Sequence, residues 1–146
     1  MGVEIERKFL VTNDTYKDMA YSISHIKQGY LNRNPDRTVR VRVRDDHGYL
    51  TVKGRNQGDT RLEFEYDVPR KDAEEMLLLC ENPILDKSRY LVKYEGFIWE
   101  IDEFHGRLSQ LVVAEIELPA SDTKFTLPPF IGKEVTGDPR YYNSSL

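Results

Sequence analysis

The sequence predicts a mainly β (α+β) fold: a closed antiparallel barrel of eight strands that has a charged lumen and carries its helices on the outside. Three observations lead to this prediction. Apolar and charged residues alternate with a period of two in one segment after another, which is typical of strands. Turn-forming stretches such as "NPD" and "DDHG" separate these segments. The polar positions hold almost only charged residues, and both signs occur together.

The strands are predicted to follow one another from "VEIERKFLV" onward. They cover residues 3–11, 24–33, 37–45, 48–55, 60–68, 84–96, 97–106 and 111–119. The stretch "RKDAEEMLLLCEN" (70–82) is predicted to be a helix that ends before Pro83, because the residue before a proline is pushed out of helical geometry. A short helix is predicted near residues 15–21. The length fits a single domain, residues 1–146.

The strand residues can be sorted by parity, that is, by alternate positions along each strand, because successive side chains point to opposite faces. This sorting gives one charged face and one apolar face. The charged face holds Glu4, Glu6, Lys8, Arg40, Arg42, Arg44, Lys53, Arg61, Glu63, Glu65, Lys87, Arg89, Glu100, Asp102, Glu115 and Glu117. An amphipathic sheet with a solvated charged face is one explanation. Like charges that face one another destabilise a sheet, however, and the acids here are grouped together. A barrel closed around the charged face explains the pattern better, because its wet lumen is a binding site.

Acids and bases in one lumen indicate a metal-bound polyphosphate as the ligand. The acids Glu4, Glu6, Asp102, Glu115 and Glu117 supply the hard oxygen ligands that Mg²⁺ or Mn²⁺ prefers. The bases Lys8, Arg40, Arg42, Lys53, Lys87 and Arg89 supply donors that match phosphate oxygens. A triphosphate needs both groups, because the charge on its oxygens must be neutralised before phosphorus can be attacked.

The opening motif Glu4-x-Glu6-x-Lys8 resembles that of the CYTH superfamily, also called triphosphate tunnel metalloenzymes. This superfamily gathers class IV adenylyl cyclases, thiamine triphosphatases and inorganic triphosphatases. The segments "TVRVR", "LTVKG", "RLEFEYDV", "DKSRYLV", "WEIDEF", "AEIEL" and "GKEVTGDPRYYNSSL" follow in the order of the family, so the resemblance spans essentially the whole chain.

The resemblance implies a role for each candidate site residue. Family metal ligands fall on Glu4, Glu6, Asp102, Glu115 and Glu117. Family phosphate contacts fall on Lys8, Arg40, Arg42, Lys53, Arg89 and Lys133, the last in a tail segment expected to return to the tunnel mouth. Glu63 and Glu65 match mid-chain acids that either hold a second metal or neutralise neighbouring arginines.

Tyr30 and Lys8 are the candidate catalytic residues. Tyr30 matches the tyrosine proposed as proton acceptor in short bacterial members of the family. A phenol becomes a useful base only where nearby cations stabilise its ionised form, and Arg40 and Arg42 on the next strand are placed to do so. A structural tyrosine that hydrogen-bonds phosphate or carboxylate, with a metal-bound water as the source of the nucleophile, is the alternative.

The expected function is metal-dependent hydrolysis of a triphosphate, with inorganic triphosphate favoured because 146 residues leave little chain for binding a nucleoside. Adenylyl cyclase, thiamine or nucleoside triphosphatase, and a non-catalytic polyphosphate or nucleotide sensor are the alternatives. The net charge of −4 argues against nucleic acid or an anionic membrane as a partner. Without an apolar leader or spanning run, a cytoplasmic location is expected. The sequence is compatible with a homodimer.

Overall fold

A computed structural model describes residues 2–146 and confirms the predicted barrel. Within these residues the strands are β1 (Val3–Val11), β2 (Ser22–Asn32), β3 (Arg37–Arg44), β4 (His47–Gly54), β5 (Thr60–Val68), β6 (Glu81–Tyr94), β7 (Phe97–Phe104), β8 (Val112–Glu117) and β9 (Ile131–Glu134). The strand order is β5-β4-β3-β2-β6-β7-β8-β1-β9, and every pairing is antiparallel. Pairing of β1 with β5, which sets Glu4 opposite Arg61, closes the first eight strands into a barrel.

The helices are shorter than the sequence predicts. Helix α1 covers Tyr16–Met19, and α2 covers Arg70–Leu77 rather than 70–82. Pro83 does not terminate α2, because it lies inside β6. The residues after Leu77 leave the helix through three-residue turns that expose Leu78 to solvent. No helix in residues 2–146 is long and apolar enough to cross a membrane.

Much of the hydrophobic core lies outside the barrel. One cluster packs α1 and the segment around Phe130 against the outward-facing residues of β1, β7 and β8. Its buried members are Phe9, Tyr16, Val92, Trp99, Ile101, Ala114, Ile116, Leu118 and Phe130. A smaller cluster packs Ala73 of α2 against Val41 and Val43 of β3. The charged residues of these strands therefore point inward, as their parity predicts.

Gly48 allows α2 to lie close against β4. A Cβ atom at this position would be 2.7 Å from Cβ of Ala73 and 2.9 Å from the carbonyl oxygen of Val68. Gly48→Ala should therefore lower the free energy of unfolding by about 1–3 kcal/mol, because it overpacks a rigid contact. Urea unfolding would measure this loss. Gly54→Ala is the control, since its nearest neighbour would be 3.4 Å away and it should cost less; an equal loss in both variants would contradict the packing argument.

The prediction that helices cover the apolar outer face holds for only part of the barrel. Residues Val52 of β4, Leu62 and Phe64 of β5 and Val3 of β1 are 38%, 53%, 43% and 54% exposed. Neither helix covers these four residues, because α2 packs near Leu50 and Val68, at the other end of β4 and β5, while α1 contacts β6. The outer surface of β5 from Leu62 to Tyr66 and the adjoining part of β1 thus remain uncovered within residues 2–146.

The inward-facing positions change from charged to apolar toward one end of the barrel. The apolar positions are Leu10, Leu85, Phe104 and Val113, two residues from Lys8, Lys87, Asp102 and Glu115 respectively. These four side chains form one cluster with Leu108, Leu111 and the C-terminal Leu146. The cluster fills the barrel at this level, so the charged layers lie above an apolar floor.

Candidate active site

A cavity of ≈ 170 Å³ lies inside the barrel and is lined mainly by charged side chains. The predicted site residues that line it are Glu4, Glu6, Lys8, Tyr30, Arg40, Arg42, Lys53, Glu63, Glu65, Arg89, Glu115 and Glu117. Among the described residues that line it, Val135 is the one aliphatic side chain. Parity therefore places most of the predicted site in one cavity, since strands of a closed barrel present the same face inward.

The acidic side of the cavity is formed by β1 and β8. Their antiparallel register sets Glu6 opposite Glu117 and Lys8 opposite Glu115. Burial, followed by the charges of Glu115 and Glu4, raises the pKa of Glu6 well above its usual value. Burial opposes the ionisation of Glu115, but the charge of Lys8 and a hydrogen bond donated by Glu6 keep the pKa of Glu115 below its usual range. The carboxyl group of Glu6 thus holds its proton more strongly than that of a free glutamate, whereas Glu115 favours its ionised form.

Glu4 of β1 forms ion pairs with bases of β4 and β5, across the β1–β5 pairing that closes the barrel. The Lys53 ammonium lies 3.1 Å from Oε1 of Glu4 and 3.2 Å from Oε2 of Glu63, and Nε of Arg61 lies 3.5 Å from Glu4. Burial opposes ionisation of Glu4, but the Lys53 charge is the main attraction that keeps its pKa below the usual value. Glu65 accepts hydrogen bonds from Thr51 and Arg40 at 2.9 and 3.3 Å. These contacts support charge balancing, rather than a second metal, for Glu63 and Glu65.

The basic side of the cavity concentrates positive charge. Arg40 and Arg42 of β3 and Arg89 of β6 are each 7% exposed, and Lys8 is 8% exposed. Burial, followed by the charges of Arg40 and Arg89, lowers the pKa of Arg42. Like charges held this closely favour an anion between them, because its charge relieves their repulsion. This side of the cavity can therefore bind phosphate oxygens.

Asp102 and Lys87 lie behind the cavity lining. Asp102 accepts two hydrogen bonds from Arg89 at 2.8 and 2.9 Å and one from Lys87 at 2.7 Å, and Lys87 and Asp102 are 0% and 1% exposed. Burial opposes ionisation of Asp102, but the charges of Arg89 and Lys87 hold its pKa well below the usual range. The arrangement does not support Asp102 as a metal ligand or Lys87 as a direct phosphate contact, because neither side chain lines the cavity.

Lys133 lies outside the cavity. It is exposed on β9, which pairs with β1 beyond the point where the barrel closes. The residues that follow β9, rather than Lys133, return to the cavity and line it. Tyr30 does line the cavity, where it is 5% exposed, and the guanidinium of Arg33 lies 5.3 Å from its ring centroid.

The tail after β9 supplies site residues that the sequence analysis missed. Thr136, Tyr142, Asn143 and Ser144 line the cavity, and Lys8 donates a hydrogen bond of 2.9 Å to the carbonyl oxygen of Tyr141. The tail forms two short 3-10 turns and has no period-two pattern that could have indicated a face. Gln28 is fully buried behind the wall. One feature of the sequence could have indicated this position: Gln28 lies two residues before Tyr30, so a regular strand would turn both side chains to the same face.

Comparison with known proteins decides the family, because the sequence profile of the CYTH domain matches residues 2–142. The chain belongs to the CYTH family. The chain is 53% identical to the inorganic triphosphatase of Acetivibrio thermocellus over 147 aligned positions, covering 100% of this chain and 94% of the relative. It is 35% identical to the inorganic triphosphatase of Nitrosomonas europaea, covering 98% and 95% of the two chains.

Solved CYTH-like structures share the barrel. The crystal structure of the inorganic triphosphatase NE1496 superposes with a TM-score of 0.70 at 33% identity, covering 97% of this chain and 95% of that one. A putative adenylate cyclase from Bacillus halodurans gives a TM-score of 0.63 at 19% identity over 82% of this chain and 83% of that one, which speaks for the fold alone.

The acidic side of this CYTH cavity fits a Mg²⁺-type ion. Within residues 2–146, no three carboxylate, imidazole or thiol groups already form a complete set of metal ligands. Mg²⁺ does not need such a set, since it keeps several waters and is usually held by one or two carboxylates together with substrate phosphates. Glu6 of β1 and Glu115 of β8 form a pair of interacting oxygen donors whose mutual repulsion a cation would relieve.

Proposed function

We propose that this CYTH protein is an inorganic triphosphatase that hydrolyses a phosphoanhydride bond of inorganic triphosphate with the help of Mg²⁺ or Mn²⁺. The observation that carries the proposal is the union of buried carboxylates and buried bases in one cavity. The relationship to two curated inorganic triphosphatases, one of them 53% identical, supports the same activity.

The bases bind and orient the triphosphate. Arg40, Arg42 and Arg89 present forked donors from the wall, and Lys8 presents an ammonium group in the same cavity. Their charges act in a buried environment, where they interact more strongly with the charge on phosphorus oxygens than they would in water. A divalent cation held by Glu6, Glu115, Glu117 and Glu4 supplies further charge neutralisation when it is bound.

Tyr30 is the proton acceptor in the proposed reaction. Attack of water on a terminal phosphorus forms one P–O bond, breaks the bridging P–O bond and releases a proton. The phenol oxygen of Tyr30, which lines the cavity, accepts that proton in the proposed reaction. Phosphate and pyrophosphate leave as products. Tyr30→Phe, which keeps the ring and removes the acceptor, tests this role.

The cavity volume favours a compact polyanion over a nucleotide. Pockets that enclose drug-sized ligands usually measure about 300–1,000 Å³, whereas this cavity measures ≈ 170 Å³. Inorganic triphosphate carries no nucleoside, so it is the smaller ligand and fits this volume better. Inorganic triphosphate is therefore preferred over the substrates of a cyclase or a thiamine or nucleoside triphosphatase.

Phosphate release from inorganic triphosphate, ATP and thiamine triphosphate tests the proposal directly, with EDTA, Mg²⁺ or Mn²⁺ in parallel. Metal-dependent release from inorganic triphosphate without cyclic AMP from ATP is expected. Cyclic AMP with pyrophosphate would instead make the protein a cyclase. Tight binding of triphosphate without turnover of any substrate would make it a sensor.

Removing one base should weaken substrate binding more than it affects the fold. Arg42→Ala or Lys8→Ala is expected to raise KM for inorganic triphosphate by about 10–100-fold, because a hydrogen bond to a charged group contributes about 1.5–3 kcal/mol. Steady-state kinetics measure this change. Lys27→Ala is the matched control, since Lys27 is exposed on the opposite face of β2. Unchanged kinetics in both Arg42→Ala and Lys8→Ala would contradict the phosphate assignment.

A further inference from the structure

A chain of buried hydrogen bonds runs behind the basic wall of the cavity. Nε of Arg42 donates to Oε1 of Gln28 at 2.8 Å, and Nε2 of Gln28 donates to Oδ1 of Asn143 at 3.1 Å. Lys87 donates to the same Asn143 oxygen at 3.0 Å and to Asp102 at 2.7 Å. Asp102 in turn receives the paired hydrogen bonds of Arg89. The chain thus links the arginines of β3 and β6 through one residue of the tail.

The members of this chain divide into lining residues and hidden connectors. Arg42, Asn143 and Arg89 line the cavity, whereas Gln28 and Lys87 are not among the lining residues and are 0% exposed. A hidden polar group cannot replace a lost partner with bulk water, so the orientation of each connector depends on the next one. The connectors therefore transmit the position of Asn143 to the arginines on either side.

The directions of these hydrogen bonds require Asn143 to act as the acceptor for two donors. A guanidinium and an ammonium can only donate hydrogen bonds. Gln28 must consequently turn its oxygen toward Arg42 and its NH₂ group toward Asn143, and Asn143 must present an oxygen to both Gln28 and Lys87. A neutral amide meets this requirement without placing another negative charge in the wall of an anion site.

Neighbouring contacts hold Asn143 in place. Arg33 donates a hydrogen bond of 2.8 Å to the carbonyl oxygen of Ser144, and Lys8 donates one of 2.9 Å to that of Tyr141. Leu146 packs into the apolar floor with Phe104 and Val113. The tail is therefore anchored on both sides of Asn143, and its side-chain oxygen has a defined position.

We propose that Asn143 is a positioning residue that completes the phosphate-binding wall, because its Oδ1 atom orients Gln28 and Lys87 and, through them, the guanidinium groups of Arg42 and Arg89. This inference rests on the proposed triphosphatase function. It assigns the C-terminal tail to the substrate site, so that the barrel strands alone do not make a complete site.

The test compares Asn143→Leu, which keeps the side-chain size and removes the acceptor, with Ser145→Ala, an exposed position in the same turn. Steady-state kinetics with Mg²⁺ and calorimetric binding of inorganic triphosphate in EDTA are measured beside the melting temperature. We expect KM and Kd to rise by about 10–100-fold in Asn143→Leu, as for other residues that orient a ligand-binding group, and to stay at wild-type values in Ser145→Ala. The rise in Kd should persist at temperatures well below the melting temperature of the variant.

A double-mutant cycle with Gln28→Leu separates positioning from general stability. If Asn143 acts partly through Gln28, the double variant should lose less affinity than the sum of the single losses. Wild-type KM and Kd in Asn143→Leu would overturn the inference, as would full additivity with Gln28→Leu. Should Asn143→Leu fail to fold, Asn143→Ala is measured in the same way with the same two outcomes.

The proposed function and this inference can fail separately. A wild-type protein that releases no phosphate from inorganic triphosphate contradicts the proposed function, while the binding measurements in EDTA still test Asn143. An active wild-type protein with an equally active Asn143→Leu variant contradicts the inference alone.

Discussion

Glu6→Gln should abolish metal-dependent phosphate release and, at the same time, make the metal-free protein more stable. The variant keeps the shape of the side chain but removes its charge from a group of buried carboxylates. Loss of one cation ligand is expected to reduce turnover by at least ~100-fold, which corresponds to about 3 kcal/mol of transition-state stabilisation. Relief of repulsion should raise the melting temperature by roughly 2 to 4 °C for each kcal/mol gained.

The gain in stability should depend on pH. A glutamate in the unfolded chain titrates near pH 4.5, whereas burial and the charges of Glu115 and Glu4 raise the pKa of Glu6 in the folded protein. Between these two values the folded protein holds a proton that the unfolded chain has lost, so the free energy of unfolding falls as pH rises. Glu6→Gln has no such proton to lose. Its advantage over the wild type should therefore be small at pH 4.5 and grow above it.

Thermal unfolding in EDTA across this pH range, together with phosphate release in Mg²⁺, checks both parts of the prediction. Glu75→Gln is the control, because Glu75 is exposed on α2 away from the cavity. A Glu6→Gln variant that unfolds, or that retains full metal-dependent activity, would show that Glu6 belongs to a structural ion network instead of a cation site.

The period-two pattern predicts which face a residue occupies but not its depth along the barrel. Glu115 and Asp102 both face inward, and the sequence gives both the same predicted role. Strand register then places Asp102 opposite Arg89, behind the lining, while Glu115 stands opposite Lys8 in the cavity. Register depends on turns and on long-range pairing, which no local pattern reports.

Regions without a repeating pattern were predicted least well. The tail was expected to contribute Lys133, yet it contributes Asn143, because two 3-10 turns carry the chain past the exposed β9 and back over the cavity. The coverage of the outer face was also overstated, since an apolar position predicts a need for burial and does not identify the element that provides it. Tertiary contacts decide both features.

Asp102→Ala should have the opposite effect on stability from Glu6→Gln, although both remove a carboxylate from the same inward face. Asp102 is the shared partner of Lys87 and Arg89, so its removal leaves the buried Arg89 guanidinium without its main counter-charge. Lys87, whose pKa burial lowers to about 7, also loses the carboxylate that favours its protonated form. Breaking a buried ion pair in this way typically costs about 3–5 kcal/mol. Urea unfolding at pH 7 in EDTA should show a loss of this size, since no cation is needed for the effect.

Glu100→Gln provides the matched control for this loss. Glu100 also pairs with Arg89, at 3.3 Å, but its side chain is 41% exposed, so the change should cost at most about 1 kcal/mol. An Asp102→Ala protein that is as stable as the wild type and has lost only its metal dependence would show instead that Asp102 is a cation ligand. The expected result instead separates two kinds of carboxylate on one face: Glu6, which lies among other carboxylates, and Asp102, which is paired with Lys87 and Arg89.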